Sequence, residues 1–198
     1  MKAVIVLHAD LHAQARGTGE CRLLERLPYA KRLELEAREP AARRAGLRGI
    51  ALALSGAARF AAHGAGVEGL CFPQGGKPRL RDGPTFSISH TARRVAVALA
   101  AEGELGLDLE DFVIGDGRRD VERMRLERWT ATEAVLKAAG QGLRAAADVG
   151  VDMAGRRATC AGRCYVLTAL AIAPDVVTHL ATDGLPTSIE IERVDFDA

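Results

Sequence analysis

The chain has almost no net charge: 27 Lys and Arg stand against 26 Asp and Glu, leaving a formal +1. So even a balance supplies no global field to gather phosphate backbones, which excludes a general nucleic-acid binder working by bulk charge. Aromatic residues make up only 4% of the sequence, and none is interleaved with the basic clusters as a base-stacking surface would require. Long apolar runs are missing too. The longest stretch without Asp, Glu, Lys or Arg is Cys164 to Pro174, 11 residues, against the roughly 20 that a membrane-spanning helix needs. The N-terminal run Ala3-Val4-Ile5-Val6-Leu7 is cut off by His8 and Asp10, too early for the apolar region of a secretory signal, and reads as a first β-strand. Four cysteines, Cys21, Cys71, Cys160 and Cys164, offer neither CxxC spacing nor a disulfide framework in 198 residues. A cytoplasmic protein is the expectation. Lysine is scarce, 4 against 23 arginines, which gives weight to the placing of Lys77 and Lys137.

What is present describes one globular unit, or two small halves sharing a core. Glu20 to Arg26 is a short helical candidate. Ala41 to His63 is free of proline and rich in Ala, Leu and Arg, with Leu47, Ile50, Ala51 and Leu54 in helical spacing, so it predicts a long, partly buried helix ended by Gly64, Gly66 and Gly69. Pro73 to Pro84 is turn-rich. Phe86 to His90, Val95 to Ala100 and Leu105 to Glu110 read as strands; in the last, residues 105, 107 and 109 share one face while the other carries the acids. Gly115, Asp116 and Gly117 mark a loop. Asp120 to Ala139 follows as helix, with a break expected near Trp129-Thr130, where Thr130 and Glu133 have capping-box spacing. Gly140 and Gly142 end that helix. Tyr165 to Ile172, Val176 to Ala181 and Ser188 to Val194 are β-like. One long helix with several strands in each half is an α+β pattern rather than a βαβ series. The halves divide at 101/102, giving 1–101 and 102–198.

Four constellations carry chemistry. In Gly106-Leu107-Asp108-Leu109-Glu110, alternation sets Asp108 and Glu110 side by side on one face. Two adjacent carboxylates make either a solvated acidic face or a seat for a hard cation, and oxygen ligands suit Mg²⁺. In Trp129-Thr130-Ala131-Thr132-Glu133-Ala134-Val135-Leu136-Lys137, Glu133 and Lys137 are i and i+4. That is the spacing of an ordinary surface ion pair, or of a third acid beside a cation that meets phosphate. Phe86-Ser87-Ile88-Ser89-His90-Thr91 is either a polar strand end or a diphosphate contact through imidazole N–H and serine hydroxyls. Gly75-Gly76-Lys77-Pro78 lacks Walker A spacing; with Arg43, Arg44 and Arg48 upstream it is a hairpin turn near a solvated helix face, or a phosphate-binding edge.

In order and content, GGKP, FSISHT, LGLDLE and WTATEAVLKAAGQGL resemble the 4′-phosphopantetheinyl transferases of the two-subdomain, Sfp-like type, over roughly residues 40 to 143. The resemblance implies a transferase that moves the phosphopantetheine arm of coenzyme A to a serine of an acyl or peptidyl carrier protein and releases 3′,5′-ADP. It implies two similar α+β subdomains related by a pseudo-twofold axis, with the site in the cleft between them. Asp108, Glu110 and Glu133 would hold Mg²⁺, with Mn²⁺ as the alternative. Glu133, Lys137 and His90 would be catalytic: Glu133 takes the serine proton, Lys137 meets the departing phosphate, and His90, with Ser89 next to it, holds the diphosphate. Lys77 and Pro78 would border the adenine, and Arg44, with Arg48 or Arg43 near it, would meet the 3′-phosphate. The implied partners are coenzyme A and an apo carrier protein of fatty acid, polyketide or nonribosomal peptide biosynthesis, with no nucleic acid and no membrane, the enzyme being a monomer. The sequence departs from the family pattern between Asp111 and Arg128, where 18 residues stand in place of a longer segment. Glu122 and Glu127 are the glutamates available there to substitute, and Arg118, Arg119, Arg123, Arg125 and Arg128 suit an acidic carrier. The shortening leaves a catalytically impaired coenzyme A or carrier-binding module as the alternative. A phosphohydrolase using the same acids is a third reading.

Overall fold

The computed structural model describes residues 2–11, 18–60, 66–73, 76–112 and 119–196. The expected loop signal at Gly115 to Gly117, the helix end at His63 and Gly64, Gln74, Gly75 and Arg118 lie outside these residues. In chain order the elements are β1 (Lys2–Asp10), α1 (Thr18–Arg26), α2 (Tyr29–Glu36), α3 (Pro40–Ala58), β2 (Leu70–Cys71), β3 (Arg79–Leu80), β4 (Thr85–His90), β5 (Arg94–Ala100), β6 (Leu105–Asp111), α4 (Arg119–Ala139), β7 (Gly150–Asp152), β8 (Arg157–Cys160), β9 (Arg163–Ala169), β10 (Val176–Thr182) and β11 (Pro186–Arg193). Short 3-10 turns occupy Val67–Gly69 and Leu143–Asp148. The fold is mixed α+β, and no described helix is long and apolar enough to cross a membrane.

Two main sheets form, in the orders β11-β1-β5-β4 and β6-β10-β9-β8-β7, with β2 and β3 as a small separate pair. Strand β5 explains how they stack. Its residues alternate in size, and the larger ones, Val95, Val97 and Leu99, join the core under α3. Ala96, Ala98 and Ala100 point the other way and meet Leu105, Leu107, Leu109 and Leu180 of the second sheet. Because successive strand residues face opposite sides, this pattern gives the first sheet a helix on one face and a second sheet on the other. Helix α4 covers the far face of that second sheet through Ala131, Ala134, Val135 and Ala138. The layers therefore run α3, first sheet, second sheet, α4. The alanines keep the sheet-to-sheet layer thin, and burial of this apolar surface is the main stabilising term.

The last strand departs from a clean division at 101/102. β11 pairs in parallel with β1, from Lys2 opposite Pro186 to His8 opposite Arg193. Arg59, just beyond α3, clamps it with hydrogen bonds to Glu190 and Glu192, both 2.8 Å.

Three local expectations need correction. Helix α3 stops at Ala58 rather than His63, and its buried face includes Ala45, Gly49, Leu52, Ala53, Gly56 and Ala57 besides Leu47 and Ile50, while Ala51 and Leu54 are only half-buried. Helix α4 is continuous through Thr130. The Thr130 hydroxyl lies 2.8 Å from Leu126 O, one turn back, and 2.7 Å from His179 Nδ1 on β10; a mid-helix threonine bonded to the preceding turn is not a cap. Helix α2 and strands β7 and β8 have no counterpart among the expected elements, although β8 alternates exposed and buried residues over its four positions. Gly140 does end α4, with φ of +66° and the Gln141 N–H donating to Leu136 O at 2.8 Å, the left-handed closure that glycine allows at little cost.

Candidate functional site

Strands β4 and β6 run side by side where the two sheets meet. Ser87 and Ser89 point from β4 toward β6, and Ser87 Oγ accepts the Leu107 N–H at 3.0 Å. This places Ser89 Oγ 2.8 Å from Asp108 Oδ1. Across β6, α4 approaches at Gly106. A Cβ added there would stand 2.0 Å from Ala134 O and 2.4 Å from Ala138 N, so the helix backbone rests on the strand itself. The glycine of LGLDLE thus brings Glu133 and Lys137 of α4 against Asp108 and Glu110, which share its face of the strand.

Oxygens of Asp108, Glu110 and Glu133 all lie within 4.8 Å of one another. Asp108 is buried, 3% exposed; Glu110 and Glu133 are half-buried. Lys137 Nζ is 2.5 Å from Asp108 Oδ1, 3.0 Å from Ser89 Oγ and 3.9 Å from Glu133 Oε2. Burial and then the Asp108 charge push the carboxyls of Glu110 and Glu133 above the ordinary range, against the opposing pull of Lys137. The Trp129 indole of α4 also pulls the Glu110 carboxyl down, against burial and the Asp108 charge. The other Asp108 oxygen, Oδ2, is buried with no hydrogen-bond partner among the described residues. An orphaned carboxylate oxygen is costly in a protein interior, and three converging carboxylates offer the hard oxygen donors that suit a divalent cation such as Mg²⁺. The residues present fit such an ion.

His90, at the end of β4, reaches solvent. Desolvation, then the charges of Lys137 and Arg38, hold its imidazole below the usual histidine range, so at neutral pH it is an uncharged ring with one N–H to donate. Lys77 reaches across to β6, donating to Leu105 O at 2.5 Å. With Pro78 it lines two cavities, of about 410 and 250 Å³, the smaller shared with Ser87, Lys137, Gly140 and Gln141. A third cavity, about 680 Å³, lies beyond Gly76 and Pro78 against Lys31 and Glu34 of α2 and Phe72, with Lys31 Nζ 5.1 Å from the Phe72 ring centre.

The structure does not bring Arg44 and Arg48 to this site. Both project from the α1 side of α3. Arg48 is 1% exposed, its Nε donating to Glu20 Oε1 at 2.9 Å and another guanidinium nitrogen to Asp10 O at 3.0 Å. Arg44 Nε is 4.0 Å from Glu20 Oε2. The α2 side of α3 is the one marked by Gly46, next to Leu35. An arginine this deeply buried must be paired, and Arg48 is spent on tying α1 to β1.

Sequence reasoning gave no role to Trp129, Lys31 or His179. His179 stands opposite Asp108 in the β6–β10 register, is 3% exposed, and is pushed below the usual histidine range by burial. Its only signal in the sequence was one ionisable ring in a strand whose other residues are apolar or threonine. Among known proteins, no family model matches the chain and no curated protein matches it.

Proposed function

We propose that the chain is a Mg²⁺-dependent 4′-phosphopantetheinyl transferase, moving phosphopantetheine from coenzyme A to a serine hydroxyl of an acyl or peptidyl carrier protein. The observation that carries this reading is the convergence of the FSISHT, LGLDLE and WTATEAVLK segments on one cleft. Ser89 and Lys137 both touch Asp108, and Glu110 and Glu133 complete its carboxylate cluster. Spacing in the sequence does not demand this, since the three segments could have folded onto separate surfaces. On the same reading, the two helix-on-sheet halves are the paired subdomains of the two-subdomain enzymes.

Asp108, Glu110 and Glu133 would hold Mg²⁺, which when bound would neutralise diphosphate charge and stabilise the leaving oxygen. The chain supplies the rest. Glu133 takes the proton of the carrier serine as that oxygen bonds to phosphorus. The phosphorus–oxygen bond to the nucleotide breaks, and 3′,5′-ADP leaves with Lys137 paired to its phosphate. His90 donates its N–H to the diphosphate from the edge of the cleft. Lys77 and Pro78 border the nucleotide. Positive charge at the nucleotide end comes from Lys31 of α2, which lines the cavity of about 680 Å³ beside Phe72, rather than from Arg44 and Arg48.

Intact-protein mass spectrometry of several apo carrier proteins, incubated with the chain, coenzyme A and Mg²⁺, tests this. The expected result is a mass gain of one phosphopantetheine that EDTA abolishes. Coenzyme A binding by calorimetry with no gain on any carrier would replace the proposal with the binding-module reading.

A further inference from the structure

Lys137 is not arranged as a group waiting in the open for a substrate. Its ammonium sits on Asp108 Oδ1 at 2.5 Å and on Ser89 Oγ at 3.0 Å, while Ser89 Oγ itself donates to the same carboxylate oxygen at 2.8 Å. Glu133 Oε2 is the next acceptor, 3.9 Å from Nζ. Among the described residues, this is the one ammonium or guanidinium that pairs with any of the three clustered carboxylates. Asp108 Oδ2, in contrast, has no hydrogen-bond partner among the described residues. One oxygen of the buried carboxylate is therefore taken by a tethered cation and the other is left for a second one. A unit charge a few ångströms from a divalent ion repels it strongly where water is scarce.

We propose that Lys137 is a built-in competitor of the divalent cation for Asp108, so that the ion alone binds weakly and binds well only when an anionic phosphate draws the ammonium away. The inference rests on reading the carboxylate cluster as a cation site, and does not depend on which group is transferred. Its consequence is ordered loading. A diphosphate-bearing substrate supplies oxygens to the ion and, in the same step, a new partner for Lys137, so ion and substrate each raise the affinity of the other.

Titration of the purified, EDTA-stripped protein with Mn²⁺ alone, followed by the loss of the free-ion paramagnetic resonance signal, tests the competition without substrate or turnover. Lys137→Met keeps the length of the side chain and removes its charge; it is expected to bind Mn²⁺ at least about tenfold more tightly than the wild type. Lys137→Gln is expected to shift in the same direction, and Lys137→Arg to stay close to wild type. Asp108→Asn is expected to lose binding. In thermal unfolding, Mn²⁺ is expected to raise the midpoint of Lys137→Met by more than it raises that of the wild type, a response that a purely structural lysine would not give. Equal or weaker Mn²⁺ binding in both neutral variants, with the wild type binding and Asp108→Asn not, overturns the competition and leaves the cation site standing. No Mn²⁺ binding by any of the proteins overturns both.

Discussion

Glu133 shows how a single residue carries two opposed demands. Its carboxyl titrates above the ordinary range because burial and the Asp108 charge disfavour the ionised form. A carboxyl raised by folding contributes stability below its unfolded value and loses that contribution as pH rises through its folded value. At pH 8, without a divalent ion, the folded protein therefore carries Glu133 as a cost. Glu133→Gln is expected to raise the unfolding temperature in EDTA at pH 8, with a smaller gain at pH 5, and to lose the rise that Mg²⁺ gives the wild type. Calorimetric scans at the two pH values check this; a lower unfolding temperature in EDTA at pH 8 would mean that the carboxylate is held by its pairing with Lys137 more strongly than it is penalised. Legibility at this scale was uneven for a physical reason. Asp108, Glu110 and Glu133 stood out because strand alternation and helical spacing are local properties of the chain. Arg48 was misread because nothing within ten residues of it shows that Glu20 and Asp10 O will enclose its guanidinium. The influence of Trp129 on Glu110 was hidden in the same way, since helix and strand meet only through tertiary packing.

Among the elements, the contact that decides the site is α4 on β6, and Gly106 sets its distance. A methyl group at 106 would overlap the α4 backbone, standing 2.0 Å from Ala134 O, and a backbone cannot turn aside as a flexible side chain can. Gly106→Ala is expected to destabilise the protein by about 3 kcal/mol, the upper part of the usual range for overpacking, and to weaken Mn²⁺ binding by moving Glu133 away from Asp108. Gly142→Ala is the control, since a Cβ there meets nothing within 4 Å, and it should leave both properties nearly unchanged. Denaturant unfolding and Mn²⁺ titration of the two variants make the comparison; wild-type stability in Gly106→Ala would show that α4 can stand off from the strand. Strands β4, β5 and β6 and the end of α4 at Gly140 were readable because alternation and glycine punctuation act within a few residues. The continuity of α4 at Thr130 was not. Its hydroxyl is engaged by His179, 49 residues further on, and that tertiary partner outweighs a local capping preference.

The whole molecule is less divisible than its sequence suggests. One long helix and a set of strands in each half could be read from composition, yet the halves share one buried layer. Val4, Val6, Ala96, Ala98 and Ala100 of the first sheet close on Leu105, Leu107, Leu109 and Leu180 of the second. β11 returns across the chain to cover β1, a pairing between residues more than 180 positions apart that no local pattern encodes. At the far ends of the strands, Asp175 accepts hydrogen bonds or ion pairs from both Arg93 and Arg94, at 2.9 and 2.5 Å, and Arg94 also holds Asp10 at 3.0 Å. The two contacts to Asp175 join the half that carries Ser89 and His90 to the half that carries the carboxylates. A fragment of residues 1–101 would expose the whole inner face of its sheet and would lack the strand that flanks β1. Apolar strands with unpaired edges in that state associate rather than remain folded. Expressed alone, residues 1–101 are therefore expected to be insoluble or to unfold without a cooperative transition, while coexpression with residues 102–198 is expected to recover a soluble complex that binds Mn²⁺. A cooperative thermal transition in the isolated 1–101 fragment would show that the first half is a domain in its own right. The cleft at Asp108 would then be an interface between independent units instead of a feature of one continuous core.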